Sequence, residues 1–191
     1  MKTLYLMRHG ETYFNTIQKT QGWCDSPLTD RGIAQARQAR QYFIDQDIRF
    51  DHAYSSTLGR AVDTLTIIAE NYIDNISFSK DLRELSFGRF EGETTQIIPP
   101  LPFEDYFISF GGESEQQALE RFNHKMLEIF KDTEGRHILV VSHGSVIREF
   151  SKHWSSYSDH PVEVLNKNGS LSIFDYQKEA FYLRDYLEEL V

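Results

Sequence analysis

Three times in this 191-residue chain a short apolar run gives way to a segment of helical periodicity, and that recurrence limits the fold more than any other feature. Residues 3–7 (TLYLM) read as a short strand, since a bounded apolar run in such a pattern suits a parallel strand covered by helices on both faces. DHAYSS (51–56) reads as a second strand, followed by a helix with Leu58, Ala61, Val62, Leu65 and Ile68 on one face and Ser56 or Thr57 as its cap. HILVVSHG (137–144) is the clearest strand and runs into a helix carrying Val146, Ile147, Phe150 and Trp154. Strands alternating with helices imply βαβ crossovers and an α/β fold, a three-layer αβα sandwich around a mostly parallel central sheet.

Further elements fill out the pattern. Thr29 is placed to cap a helix in which Ile33, Ala36, Ala39 and Phe43 recur and which ends near Gln46. Ser114 and Gln117 fit a capping box ahead of Leu119, Phe122, Met126, Ile129 and Phe130, with Gly135 beyond the helix end. The alternating tail SLSIFDY…AFYLRDY suits a terminal hairpin. Residues 94–113 (TTQIIPPLPFEDYFISFGGE) form one long irregular stretch, where Pro99, Pro100 and Pro102 argue against a continuous regular element. The expectation is a single domain over residues 1–191 with a lid-like insertion at 94–113.

A formal net charge of −9 repels nucleic acid and anionic membrane surfaces, so any anion site must be small and locally basic. The single cysteine, Cys24, excludes an internal disulfide and a thiolate metal cluster, and suits a reducing cytoplasm. Residues 1–7 are too short for the apolar core of a secretory signal, and no stretch approaches the roughly 20 apolar residues of a membrane span. Nucleic acid and membrane are therefore not expected as partners, while a homo-oligomer is left open.

Ligands of open α/β sheets bind outside the carboxyl ends of the strands. Three such ends are decorated: Arg8-His9-Gly10 after the first strand, Arg60 just inside the helix after the second, and His143-Gly144 after HILVVS. Arg60 lies near the first turn of its helix, where the macrodipole disfavours a cation, so something anionic nearby would reverse that penalty. Standing alone it would read as a surface arginine. A guanidinium at the end of a buried strand, as Arg8 is, rarely stays unpaired, and two arginines can fork onto a phosphate from two sides. His9 or His143 by itself reads as a core histidine. At equivalent strand ends beside glycines the pair reads as a site, because glycine lets backbone approach a ligand and lets the helix N-terminus aim its N–H groups at an anion. The arginines would repel a divalent cation and no helical histidine pair accompanies them, so no metal is expected. His52, His124, His137, His153 and His160 have no comparable placement. Candidates for a proton donor are Glu11, Glu84, Glu91 and Glu93.

Five blocks in order, LYLMRHGET, GWCDSPLTDRG, YSSTLGRAVDT, LRELSFGRFEG and VVSHGSVIR, make nearly the whole chain similar to the histidine phosphatase superfamily, specifically its phosphoglycerate-mutase-like branch. The resemblance implies that His9 is the histidine phosphorylated in turnover and that Arg8, Arg60 and His143 form the phosphate pocket. It assigns Glu84 to the leaving oxygen and leaves Glu11 as a structural partner. It also implies that Asn15 contacts the transferred group and that Gln21, Gly22 and Gly144 lie against substrate. The implied activity is hydrolysis of a small organic phosphate monoester through a phosphohistidine, without metal or other cofactor, on a small phosphorylated metabolite. A phosphoglycerate mutase or other phosphotransferase is the alternative, and a non-catalytic phosphate-binding module a third reading.

The same resemblance implies a lysine and paired arginines in the segment after the acid of the mutases, and residues 94–113 contain neither residue type. Phe103, Tyr106, Phe107 and Phe110 stand there with Glu104 and Asp105. This predicts either a lid for a larger, less charged or aromatic alcohol portion, repelling a doubly anionic ligand, or aromatics that only pack the insertion onto the body.

Overall fold

In the computed structural model, which describes residues 1–157 and 167–190, Leu4 and Leu6 of β1 (Lys2–Arg8) join one apolar cluster and Tyr5 and Met7 another. Successive strand residues point to opposite faces, so β1 is covered on both. β4 (His137–Ser142) repeats the division, Ile138 and Val140 lying with the leucines and Leu139 and Val141 with Tyr5 and Met7. The first cluster is closed by α4 (Glu115–Asp132) and α5 (Gly144–Trp154), the second by α2 (Asp30–Asp45) and α3 (Gly59–Ala69). These are the three layers expected from the alternation of strands and helices.

With β2 (His52–Ser56), β3 (Ile76–Ser79), β5 (Leu171–Gln177) and β6 (Ala180–Leu187), the sheet runs in the order β3-β2-β4-β1-β5-β6. β1, β2, β3 and β4 pair in parallel, while β5 and β6 are antiparallel and supply the terminal hairpin. The chain leaves β1 toward α2 on one face and leaves β4 toward α5 on the other, so a crevice opens between the carboxyl ends of these neighbours. Their register sets Arg8 opposite Ser142, and His9 and His143 follow side by side.

Thr29 caps α2 by accepting from the Gly32 amide, and Ser114 and Gln117 form the capping box of α4, as the sequence predicts. The cap of α3 differs: Leu58 holds the N-cap position without a side-chain bond. The Ser56 hydroxyl instead accepts from the Leu58 amide at 3.1 Å and lies 2.7 Å from His143 Nε2. β3 and the single turn α1 (Tyr13–Thr16) escape the sequence reading because ISFS lacks an apolar run and α1 buries no residue. Residues 94–113 contain only two short 3-10 turns, Thr95–Ile97 and Tyr106–Phe110. No helix among the described residues is long and apolar enough to cross a membrane, and His160 lies outside those residues.

Phe150 is fully buried and makes edge or tilted ring contacts with Phe122, Trp154, Phe174 and Phe181, joining α5 to α4 and the hairpin. Truncating it removes that contact area and leaves a cavity. Phe150→Ala is expected to lower unfolding stability by about 3–5 kcal/mol, read as a shifted urea midpoint at unchanged slope.

Candidate active site

Arg60 enters the site from the first turn of α3 and is 1 % exposed. Its Nη1 donates to the Cys24 carbonyl and to Asp25 Oδ1, both at 3.0 Å, and its Nη2 to the Gly22 carbonyl at 2.8 Å. Asp25 also accepts from the amides of Gly59 and Arg60, so one carboxylate serves the helix N-terminus and the guanidinium together. The anion that offsets the unfavourable helix position of Arg60 is thus already within the chain. Asp25 has no signal in helical or strand periodicity, since it reaches α3 from a loop 35 residues away.

His9, 3 % exposed, ends β1 with its tautomer fixed. Nδ1 lies 2.8 Å from the Gly10 carbonyl oxygen, which can only accept, so Nδ1 carries the proton. Nε2 accepts from Arg60 Nε at 3.2 Å and therefore holds the lone pair. Burial holds the His9 pKa well below the ordinary histidine value, with Arg60 and then Arg8 adding to the shift. His143 is fully buried, 5.3 Å from His9 between ring centroids, and its pKa is lowered in the same way by burial, then by Arg60. His143 Nδ1 has no hydrogen-bond partner among the described residues.

The glycines act differently from the expectation that they give a ligand room. A Cβ on Gly10 would lie 2.4 Å from the Gly32 carbonyl oxygen, so Gly10 lets the strand end meet the first turn of α2. A Cβ on Gly144 would lie 3.3 Å from Arg8 Cζ, so glycine there lets the guanidinium lie against the start of α5. Nor does that helix keep its leading amides for an external anion. Glu84 Oε2 accepts from the Ser145 amide at 3.0 Å, and Oε1 from Val146 at 3.2 Å and from its neighbour Leu85 at 2.8 Å. Glu84 is 6 % exposed.

These groups border a cleft of about 560 Å³ lined by Arg8, His9, Asn15, Gln21, Glu84 and Gly144. Asn15 Oδ1 accepts from the Thr12 amide at 3.1 Å and from Asn168 Nδ2 at 3.1 Å, which fixes the side chain at the cleft. Gln21 Oε1 lies 2.7 Å from the Thr12 hydroxyl. Arg60, His143 and Gly22 stand behind this lining, Gly22 contributing its carbonyl to Arg60 rather than a face to the cleft. Of the rejected acids, Glu11 accepts from Thr29 Oγ1 at 2.8 Å and Glu91 takes the Trp23 amide at 2.9 Å, both bracing loops.

The wall from residues 94–113 is Thr95, Ile98, Pro99, Leu101 and Phe103. Phe107 is instead fully buried against Phe87, Phe90 and Phe103, and Tyr106 and Phe110 pack on Phe90. The insertion's aromatics therefore mainly fasten it to the body. Glu104 and Asp105 line a separate groove with Glu115 and Glu149, so the repulsion of a doubly anionic ligand expected from them does not act from the cleft lining. Sequence reading also missed two cations of the lining, Lys19 and Arg148. Arg148 was legible as one helical turn beyond Gly144, whereas Lys19 sits in a loop. Arg148 pairs with Glu115 at 3.1 Å and Glu149 at 2.8 Å and lies over Phe103. Among the described residues no group of three or more His, Cys, Asp or Glu is arranged to hold a metal ion.

A family model described as the histidine phosphatase superfamily (branch 1) matches residues 4–188. A curated relative from Salmonella paratyphi A, called probable phosphoglycerate mutase GpmB, is 35 % identical over 99 % of this chain and 92 % of its own length. Among solved structures, phosphoglycerate mutase from Bacillus anthracis superposes with a TM-score of 0.81 at 27 % identity, covering 99 % of this chain and 93 % of its own. Phosphoserine phosphatase from Entamoeba histolytica, solved in complex with 3-phosphoglyceric acid, superposes with a TM-score of 0.76 at 26 % identity, covering 97 % and 96 %.

The depressed histidine pKa values carry a stability consequence. The unfolded chain protonates both imidazoles near pH 6.5, above their folded-state values, so it binds more protons as pH falls through that region. Stability contributed by neutral His9 and His143 is complete above about pH 6.5 and is lost below it. Thermal melts from about pH 7.5 to 5 are expected to show a falling midpoint, and His9→Asn/His143→Asn should flatten that profile.

Proposed function

Because the chain belongs to the histidine phosphatase superfamily (branch 1), we propose that it is a metal-independent phosphomonoesterase acting through a phosphohistidine on a small phosphorylated metabolite. The carrying observation is the buried His9, neutral, protonated on Nδ1, with its lone pair on Nε2 facing Arg60. An imidazole in that state is a nucleophile at neutral pH, whereas an imidazolium is not.

In this reading the phosphate oxygens replace His9 Nε2 as the acceptor for Arg60 Nε. Nε2 then attacks phosphorus in line while Arg8, Arg60 and the unpartnered Nδ1 of His143 take up charge on the equatorial oxygens. As the ester P–O bond breaks, its electron pair goes to the leaving oxygen, which takes a proton from Glu84, the step starting from its carboxylic acid form. Glu84 then removes a proton from the water that hydrolyses the phosphohistidine. The apolar wall of Ile98, Pro99, Leu101 and Phe103, with Phe87, supports an alcohol portion that presents an apolar face. The half-buried thiol of Cys24, the sole cysteine, supports a reducing, cytoplasmic setting.

Lys19 and Arg148 favour one second reading, a mutase or phosphotransferase whose ligand bears another anionic group. Against it, Arg148 is already paired with two carboxylates and the insertion adds no cation. The purified protein is expected to release inorganic phosphate from 4-nitrophenyl phosphate, with or without chelator. His9→Ala should lower kcat/KM by roughly 10³-fold or more and abolish acid-labile labelling of the protein by radioactive substrate. Interconversion of phosphoglycerates without phosphate release would replace the phosphatase reading with the mutase.

A further inference from the structure

Glu84 is held twice, once by its side chain and once by its backbone. The side chain rests on the leading amides of α5, next to His143. The backbone is gripped by Arg121 of α4. Arg121 Nη1 donates to the carbonyls of Asp81 at 3.0 Å and Arg83 at 2.8 Å, and Nη2 donates to the carbonyl of Glu84 at 2.7 Å. Its Nε and Nη2 also fork onto Glu113 Oε1 and Oε2, each at 2.7 Å. All five guanidinium N–H donors are thereby engaged, three of them on the segment that carries the acid.

Glu113 closes the arrangement. Its Oε2 accepts from the Ser86 amide at 3.0 Å, and its own amide donates to the Ser86 carbonyl at 2.9 Å. One ion pair thus reaches Asp81, Arg83, Glu84 and Ser86, on both sides of a residue that no strand or α-helix supports. Arg121 and Glu113 have side chains only 17 % and 19 % exposed, so solvent competes little for the fork. Neither residue lines the cleft. A lysine could match the charge of Arg121 but not its planar fork to three carbonyls and a carboxylate.

We propose that Arg121, locked by Glu113, is a positioning residue for Glu84: it fixes the backbone of the proton donor so that the carboxyl group meets the leaving oxygen. The inference rests on the phosphatase reading of Glu84. A displaced donor does the least harm where the leaving group needs no proton. Nitrophenolate departs as a stable anion, whereas an alkoxide must be protonated as the P–O bond breaks, so the two esters separate loss of proton transfer from general damage.

The test measures kcat/KM on 4-nitrophenyl phosphate and on glycerol phosphate for wild type, Glu84→Gln, Arg121→Gln, Arg121→Lys and Glu113→Gln, with circular dichroism and thermal midpoints for each. Glu84→Gln is expected to lose more on glycerol phosphate. Arg121→Gln and Glu113→Gln should follow the same direction, with a loss on glycerol phosphate about tenfold to a hundredfold larger than on the nitrophenyl ester, and Arg121→Lys should be intermediate. Equal losses on both esters in folded variants, or no loss, would overturn the proposal. If Arg121→Gln does not fold, Glu113→Gln decides on the same criterion, since it keeps the guanidinium and the shape of its partner. Wild type that releases no phosphate, or Glu84→Gln without ester preference, defeats the reading of Glu84. Preference in Glu84→Gln but not in the folded Arg121 and Glu113 variants defeats only the positioning role.

Discussion

A guanidinium keeps its proton when buried, so one that is 1 % exposed forces the surrounding chain to supply acceptors. Arg60 imposes that demand on this protein. The loop at residues 21–25 folds over it with the carbonyls of Gly22 and Cys24, and Asp25 meets the charge. The same fold of the loop brings Thr20 and Gln21 to the cleft and delivers Asp25 to the uncapped start of α3. The remaining donor, Nε, settles the tautomer of His9. Losing this side chain would leave the buried carbonyl of Gly22 without its donor and free the His9 imidazole, while Asp25, one-third exposed, would keep only its bonds to the start of α3, so the geometry of His9, loop and helix has one common cause.

β1 and β4 were legible because they bury both faces, and double burial writes itself as continuous apolar runs. The carboxyl-end rule then located Arg8, Arg60 and His143 in one place, although nothing in the sequence states the Arg8–Ser142 register that makes His9 and His143 neighbours. Glu84 needed the family resemblance, since a glutamate in an irregular segment carries no positional signal. Asp25 and the Glu113–Arg121 pair stayed hidden for a related reason: their partners are backbone groups or side chains outside their own element, and periodicity reports only contacts within an element. Ser56 misled for the opposite reason. A serine before a helix reads as a cap, yet here its hydroxyl faces His143.

Charge is divided sharply over short distances. The chain carries −9 in total, while the cleft is lined by Arg8, Lys19 and Arg148 against Glu84 alone among the described acids, and the groove beside it gathers Glu104, Asp105, Glu115 and Glu149. At physiological ionic strength exposed charges are felt over only about 8 Å. A small phosphate ester inside the cleft therefore meets the local cations, and an extended polyanion meets the acidic surface as well. Arg148 stands on the boundary, facing the cleft while bound to Glu115 and Glu149, so it ties the two fields together and anchors Phe103 of the insertion between them.

The start of α5 explains why the site needs two arginines at all. A helix N-terminus following a glycine is a ready anion cradle, and it would ordinarily take the phosphate. Here the amides of Ser145 and Val146 donate to the carboxyl oxygens of Glu84, a group of the chain itself. That arrangement brings Glu84 to the cleft at the cost of the cradle and, in the proposed reaction, leaves the balancing of phosphate charge to side chains. Guanidinium groups suit that task because they stay charged when buried, and their fields add to the burial that keeps His9 and His143 neutral. One glutamate on a helix end thus leaves the cations of the pocket to side chains, which add to the effect of burial in holding His9 neutral.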